Sequence, residues 1–169
     1  MKKCLLLAYF CLMLCNSLMA GDEITGFWKS IDDDTKKPQS VVAIYQYNGK
    51  YYGRLILTYD KNGHIKDTIY QPSERAPGVS GDPYYVGLDF LWDLTKDGHK
   101  YTDGQIMDPE KGRIYGAEAW RDGNNLIVRG EFLFIGRNQK WPPAGDGDFP
   151  PNFQKPDLAT LIPKIPQVK

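Results

Sequence analysis

Short glycine-bearing turns, recurring between apolar runs, constrain this chain more than any other feature. Asn48-Gly49, Asp97-Gly98 and Asp122-Gly123 each separate two runs rich in β-branched and aromatic residues, and Asp60-Lys61-Asn62-Gly63 does the same. Residues of these types tolerate the positive φ of tight hairpin turns. Period-two or continuous apolar stretches occupy residues 24–31, 41–47, 51–59, 64–70, 84–94, 100–107, 113–121 and 125–135, the pattern of strands. No segment before residue 154 carries a 3.6-residue apolar period. Eight hairpin-linked strands are enough to close an up-and-down barrel and remove exposed edges. The expected fold is all-β, an eight-stranded up-and-down barrel.

The stretch GQIMDPEKGRIYG, residues 104–116, tests that expectation. Asp108, Glu110, Lys111 and Arg113 lie close enough together to suggest acid/base chemistry. Pro109 presets an early turn position, Asp108 accepts backbone bonds, and Gly112 takes a left-handed conformation. With no histidine or second apolar-flanked carboxylate nearby in sequence, a hairpin tip is the expected outcome.

The first twenty residues stand apart. Lys2 and Lys3 precede an apolar run from Leu5 to Leu14, and Ala20 offers a small residue for cleavage. This is a signal peptide, too short for a membrane span. A lipoprotein leader is disfavoured because Leu14 stands before Cys15, where a small residue is required. The domain division expected is 1–20 leader, 21–141 barrel and 142–169 tail, with the mature chain periplasmic or secreted. Cys4, Cys11 and Cys15 all fall in the leader, so packing rather than disulfides must hold the mature fold. The formal charge of the whole chain is zero, and with no basic block to displace phosphate counterions, nucleic acid is excluded as a partner.

Reactive constellations are absent from the sequence. His64 and His99 lack spaced metal-ligand companions. The serines show no nucleophile elbow. Asp32-Asp33-Asp34 and Asp146-Gly147-Asp148 lack the spacing of a calcium loop. No catalytic residue, metal site or cofactor is therefore expected. The loop 71–83 is the longest internal connection and can either cover the barrel mouth or lie loose on the surface. The tail holds seven of the twelve prolines; Asp157 can cap a short helix through Leu158, Leu161 and Ile162.

Strand parity indicates which side chains line the barrel. Leu126, Val128, Gly130, Phe132 and Phe134 alternate with Arg129 and Glu131. Tyr84, Val86, Leu88, Phe90 and Trp92 likewise face inward, opposite Asp89 and Asp93. Gly104, Ile106, Tyr115, Ala117 and Ala119 continue the wall. Such a lining either fills the barrel or encloses an elongated apolar ligand. Trp28 on the first strand and Arg137 after the last are expected to stack and close one end. Trp120 and Tyr51, read as outward-facing, form a candidate homodimer surface.

Four separated blocks, GFWKSIDD, YYVGLDFLWDL, DGQIMDPEKGRIYGAEAW and LIVRGEFLFIGRNQKW, resemble the secreted bacterial family of domain of unknown function 2147. The resemblance implies a lipocalin-like, calycin-type barrel in the periplasm or secreted fraction, with no established enzyme activity. Some members carry a Cys-x-x-Cys in the loop matched by 71–83; here there is none. The proline-rich tail lies beyond the family block. The expected function is a non-enzymatic binding protein for a small apolar molecule such as a fatty acid. Phe90, Trp92, Ile106, Tyr115, Val128, Phe132 and Phe134 would contact that ligand. The alternative is a packed interaction module acting through its loops and tail.

Overall fold

A computed structural model describes residues 23–169 other than 33, 133 and 134. The expected leader with its cysteines, and Phe134, lie outside the described residues. Nine strands follow in order: β1 (Gly26–Ile31), β2 (Pro38–Tyr47), β3 (Lys50–Tyr59), β4 (Ile65–Thr68), β5 (Asp89–Asp97), β6 (Lys100–Asp108), β7 (Arg113–Asp122), β8 (Asn125–Phe132) and β9 (Ile135–Trp141). They pair antiparallel in the order β1-β2-β3-β5-β6-β7-β8-β9, with β4 set against the end of β3. The chain just past β9 meets β1: Lys29 N donates to Pro142 O at 2.9 Å, and Ala144 N donates to Phe27 O at 2.8 Å. Pro143 sits between these bonds opposite Trp28, where its missing N–H costs nothing.

The expected eight-stranded barrel forms, but three of its strands are drawn differently, the run 84–94 forming one only from Asp89 onward. The run 64–70 yields only the short β4, off the barrel path. The run 125–135 contains the end of one strand and the start of the next, Phe132 pairing with Ile135. Leu133-Phe134 carries no turn residue, so nothing in the sequence marks this hairpin.

Every barrel strand sends side chains to one interior cluster. It includes Trp28, Ile44, Leu55, Leu94, Tyr101, Ala119, Leu126 and Trp141. Tyr51 also points inward, its ring 4.7 Å from Tyr101; this corrects its placement on an outer patch. Trp120 faces outward beneath Lys100, whose Nζ stands 5.1 Å from the ring.

The outer face of β1–β5 is covered as well. Loop residues Ala76 and Val79 pack there against Tyr45, Tyr52 and Met107, while Phe149 from the tail covers Val41, Ala43, Ile56 and Leu57. Strands buried on both faces read as continuous apolar runs, as β2 and the middle of β3 do. Asp157 caps the expected short helix, a 3-10 turn over Leu158–Thr160, by accepting from Ala159 N. The loop 71–83 spreads over the outer face and reaches the barrel rim only where Gly78 N donates to Pro109 O. The stretch at 108–112 is the expected hairpin tip: Asp108 Oδ1 accepts from the amides of Glu110 and Lys111, and Gly112 has φ 63°.

Candidate functional site

The barrel is packed at one end and hollow at the other. At the packed end Ile24 crosses the opening, fully buried, and its carbonyl accepts from Trp28 Nε1 at 2.8 Å. A guanidinium stacks on that indole as expected, but it belongs to Arg121, 4.8 Å from the ring, which also donates to Glu23 O. Arg137 is the wrong partner. It pairs with Gly130, Trp141 four residues further on lies opposite Leu126, and Pro143 lies opposite Trp28. Six residues of extended chain thus separate Arg137 from the level of Trp28, roughly 20 Å at the rise of a strand. Arg121, on β7 beside the same end, is within reach.

At the hollow end a cavity of about 390 Å³ is lined by Ile106, Met107, Asp108, Tyr115, Val128, Gly130, Arg137 and Gln139. Two alternate β8–β9 pairs build one wall, Val128 with Gln139 and Gly130 with Arg137, and the next pair below, Leu126 with Trp141, belongs to the packed interior. Trp141 is buried, with the Phe90 ring 6.1 Å away. Its Nε1 donates to Gln139 Oε1 at 3.1 Å. An indole N–H only donates, so the Gln139 carbonyl must face it and the amide nitrogen must turn away. Small residues leave the space: Ala117 lies opposite Gly130, and a Cβ on Gly130 would approach only Ile106, at 3.4 Å.

Of the expected contact residues, Ile106, Tyr115 and Val128 line the cavity. Phe90 packs in the interior against Trp141. Phe132 pairs at the β8–β9 hairpin, and Phe134 falls outside the described residues. Trp92 is a correction. It lies on the outer face with Tyr45 and Tyr52, its Nε1 donating to Gln105 at 2.9 Å, and Leu91 and Leu94 point inward instead.

Bulges cause the inversion. Between Asp89, on the outer face, and Leu91, which points inward, β5 has one residue more than β3 has between Arg54 and Gly53, and a second bulge follows between Leu91 and Leu94. Asp93 takes φ 61° in that interval, and Asp103 takes φ 58° at a matching bulge in β6. One extra residue exchanges the two faces of a strand beyond it. Sequence parity missed Arg137 and Gln139 because the last strand was not separated from β8. Counting back by twos from Trp141 would have found both.

Among the described residues no group of histidine, cysteine, aspartate or glutamate side chains could hold a metal ion. None of their helices is long and apolar enough to cross a membrane. The cavity instead offers apolar wall with a guanidinium, an amide and a phenol toward its mouth.

This geometry agrees with the comparisons to known proteins. The family described as "Uncharacterized protein conserved in bacteria (DUF2147)" matches residues 26–142, from β1 to the bond that closes the barrel. The chain belongs to DUF2147. No curated protein matches this DUF2147 chain. Among solved structures, it is similar to "Protein HP1028 from the human pathogen Helicobacter pylori", described as belonging to the lipocalin family. The two share 18% identity with a TM-score of 0.59, over 75% of this chain and 86% of that one. The DUF2147 barrel is thus lipocalin-like in fold, an architecture suited to small-molecule binding.

Proposed function

We propose that the protein is a non-enzymatic binding protein of the periplasm or secreted fraction that holds a small apolar molecule in the hollow half of its barrel. The observation that carries this is the cavity of about 390 Å³ walled by Ile106, Tyr115, Val128 and Gly130, within the size range of ligand pockets. Apolar wall facing confined water gains about 25 cal/mol for each Å² a ligand covers, offset by the cost of association. A fatty acid or similar lipid-like molecule fits that wall. The leader at 1–20 supports the location.

Filling the cavity tests the binding. Gly130→Leu adds a side chain where only Ile106 stands near, so the barrel should fold while uptake of fatty acids, followed by calorimetry, falls at least tenfold. Unchanged uptake in that variant, or none in the parent, refutes the proposal.

A second reading, an interaction module, is favoured by one feature of the tail. Ile162, Ile165 and Val168 are exposed at 64, 45 and 36% and recur every third residue, while Pro166 between them is buried. Ile165→Lys should abolish partner capture, and leave ligand uptake intact, if the tail carries the function.

A further inference from the structure

The inward side chains of β9 change character along the barrel. Trp141 is buried, Gln139 is half-buried, and Arg137 is exposed at the mouth. Facing partners on β8 run from Leu126 through Val128 to Gly130, so no side chain stands opposite Arg137 on its own rung. Beside them, on β6 and β7, stand Ile106 and Tyr115. The hollow is therefore graded, apolar at its floor and cationic at its mouth.

Two described carboxylates at this end, Asp108 and Asp32, accept bonds from their own turns, and Asp32 also lies in the field of the Arg137 charge. Asp108 Oδ1 accepts the Glu110 and Lys111 amides at 2.9 and 3.2 Å, and Lys111 Nζ stands 3.7 Å from Oδ2. Asp32 accepts from Thr35 N at 2.6 Å, Asp34 N at 3.1 Å and Gln39 Nε2 at 2.9 Å. A guanidinium has five donors in a planar fork, and serves a carboxylate while keeping other contacts. The Gln139 amide, turned from Trp141, adds a polar group on the same strand face.

The wall is also short. Four residues separate the Trp141 rung from the Arg137 rung, roughly 13 Å of strand and less along the axis of a tilted barrel. The volume of about 390 Å³ lies near the low end of the range of about 300–1,000 Å³ typical of ligand pockets. A long acyl chain would leave part of itself in water.

We propose that the ligand is a medium-chain monocarboxylate, its head on Arg137 beside Gln139 and its chain over Ile106 and Val128 toward Trp141. This rests on the binding function proposed above and names the class of molecule that the cavity takes.

The test is calorimetric titration of the purified protein with hexanoate, octanoate, decanoate, palmitate and the neutral 1-octanol, in the parent, Arg137→Gln and Arg137→Lys. Octanoate should bind at least tenfold tighter than octanol, and affinity should peak at octanoate or decanoate. The preference for octanoate should vanish in R137Q and persist in part in R137K. Raising salt should weaken octanoate in the parent and leave it unchanged in R137Q, a response that a merely structural role would not produce. Equal binding of octanoate and octanol by the parent, or a preference that survives R137Q, overturns the head-group assignment while the binding function stands. Palmitate binding tightest overturns the length limit. If no compound binds, the binding function itself fails and this assignment with it.

Discussion

Arg54 and Asp89 form a two-point ion pair buried on the outer face of the barrel, with Nε–Oδ1 3.1 Å and NH2–Oδ2 2.7 Å. The Tyr45 hydroxyl donates to the same carboxylate at 3.0 Å. The tail completes the network: Arg54 donates to Ile162 O, and Lys164 N donates to Asp89, each at 2.5 Å. Charges taken from water need every donor and acceptor filled, and here backbone groups of the tail fill the last of them. Beyond the bridge of Pro143 to Trp28, the proline-rich segment forms no strand, yet it is fixed in place by two side chains of the barrel wall.

Removing one partner should therefore cost far more than removing both. Asp89→Ala leaves Arg54 buried without its counter-charge and should lose about 3–5 kcal/mol in urea unfolding. The double variant Arg54→Met, Asp89→Leu should recover most of that loss, since apolar replacement of a buried pair is often near neutral. Limited proteolysis should cut faster near Lys155 and Lys164 in D89A alone. Losses that simply add would show that the two residues do not act as a pair.

The packed end makes a second prediction. Trp28→Ala should cost about 3–5 kcal/mol, because a large buried ring leaves a cavity. Arg121→Ala should cost about 1 kcal/mol, the scale of a cation–π contact. Arg137→Ala should change stability by less than about 0.5 kcal/mol, as an exposed position normally does. Thermal melts of the three variants give the order. If Arg137 ranked above Arg121, the closing partner would be misassigned.

Much of the barrel was legible in the sequence because its signals are local. The glycine turns at Gly49, Gly98 and Gly123 each adopt the positive φ that their residue types favour, and unbulged strands obey parity. On β7 and β8, Ala117, Ala119, Leu126 and Val128 face inward as alternation requires. Trp92 was lost because the bulge between Asp89 and Leu91 comes just before it on β5, and no residue type there marks the extra residue. Arg121 could not be told from Arg137, since stacking on Trp28 depends on which strand end reaches the same level. The outer covering by the tail was illegible for the same reason: its anchors, Arg54 and Asp89, lie 35 residues apart and look like ordinary surface charges in sequence. The mouth was half legible, Tyr115 and Val128 by parity, Gln139 and Arg137 only once β9 is counted separately.

A third prediction concerns the rim. Gly112 has φ 63°, and a Cβ there would fall 2.6 Å from Gly78 O; a Cβ on Gly78 would fall 2.3 Å from Gly112 N. Both obstacles are backbone, which has little room to yield. Gly78→Ala and Gly112→Ala should each cost on the order of 1–3 kcal/mol. Glu110→Ala and Lys111→Ala, at the exposed tip, should cost less than about 1 kcal/mol. Chemical denaturation that ranked the charge variants above the glycine variants would contradict the backbone contact.

The last prediction concerns alkaline pH. Burial pushes the Tyr52, Tyr59 and Tyr85 hydroxyls up to about 12, with the Asp93 carboxylate adding to Tyr52 through a hydrogen bond and its charge. Burial raises Tyr45 and Tyr101 further. An unfolded tyrosine ionises near 10, so every one of these groups holds its proton more firmly in the fold. A raised pKa contributes stability that is fully present below the unfolded value and is lost as pH rises through the folded one. Stability should therefore be flat with respect to these groups up to about pH 10 and should fall between about 10 and 12. Because the tyrosines sit in the interior and under the loop and tail, they should ionise together as the barrel opens. The measurement is tyrosinate absorbance recorded beside far-ultraviolet circular dichroism across that range. Coincident late transitions are expected. If the whole absorbance change were instead complete around pH 10 with the strands intact, these five phenols would be open to water and the packing described for them would be wrong.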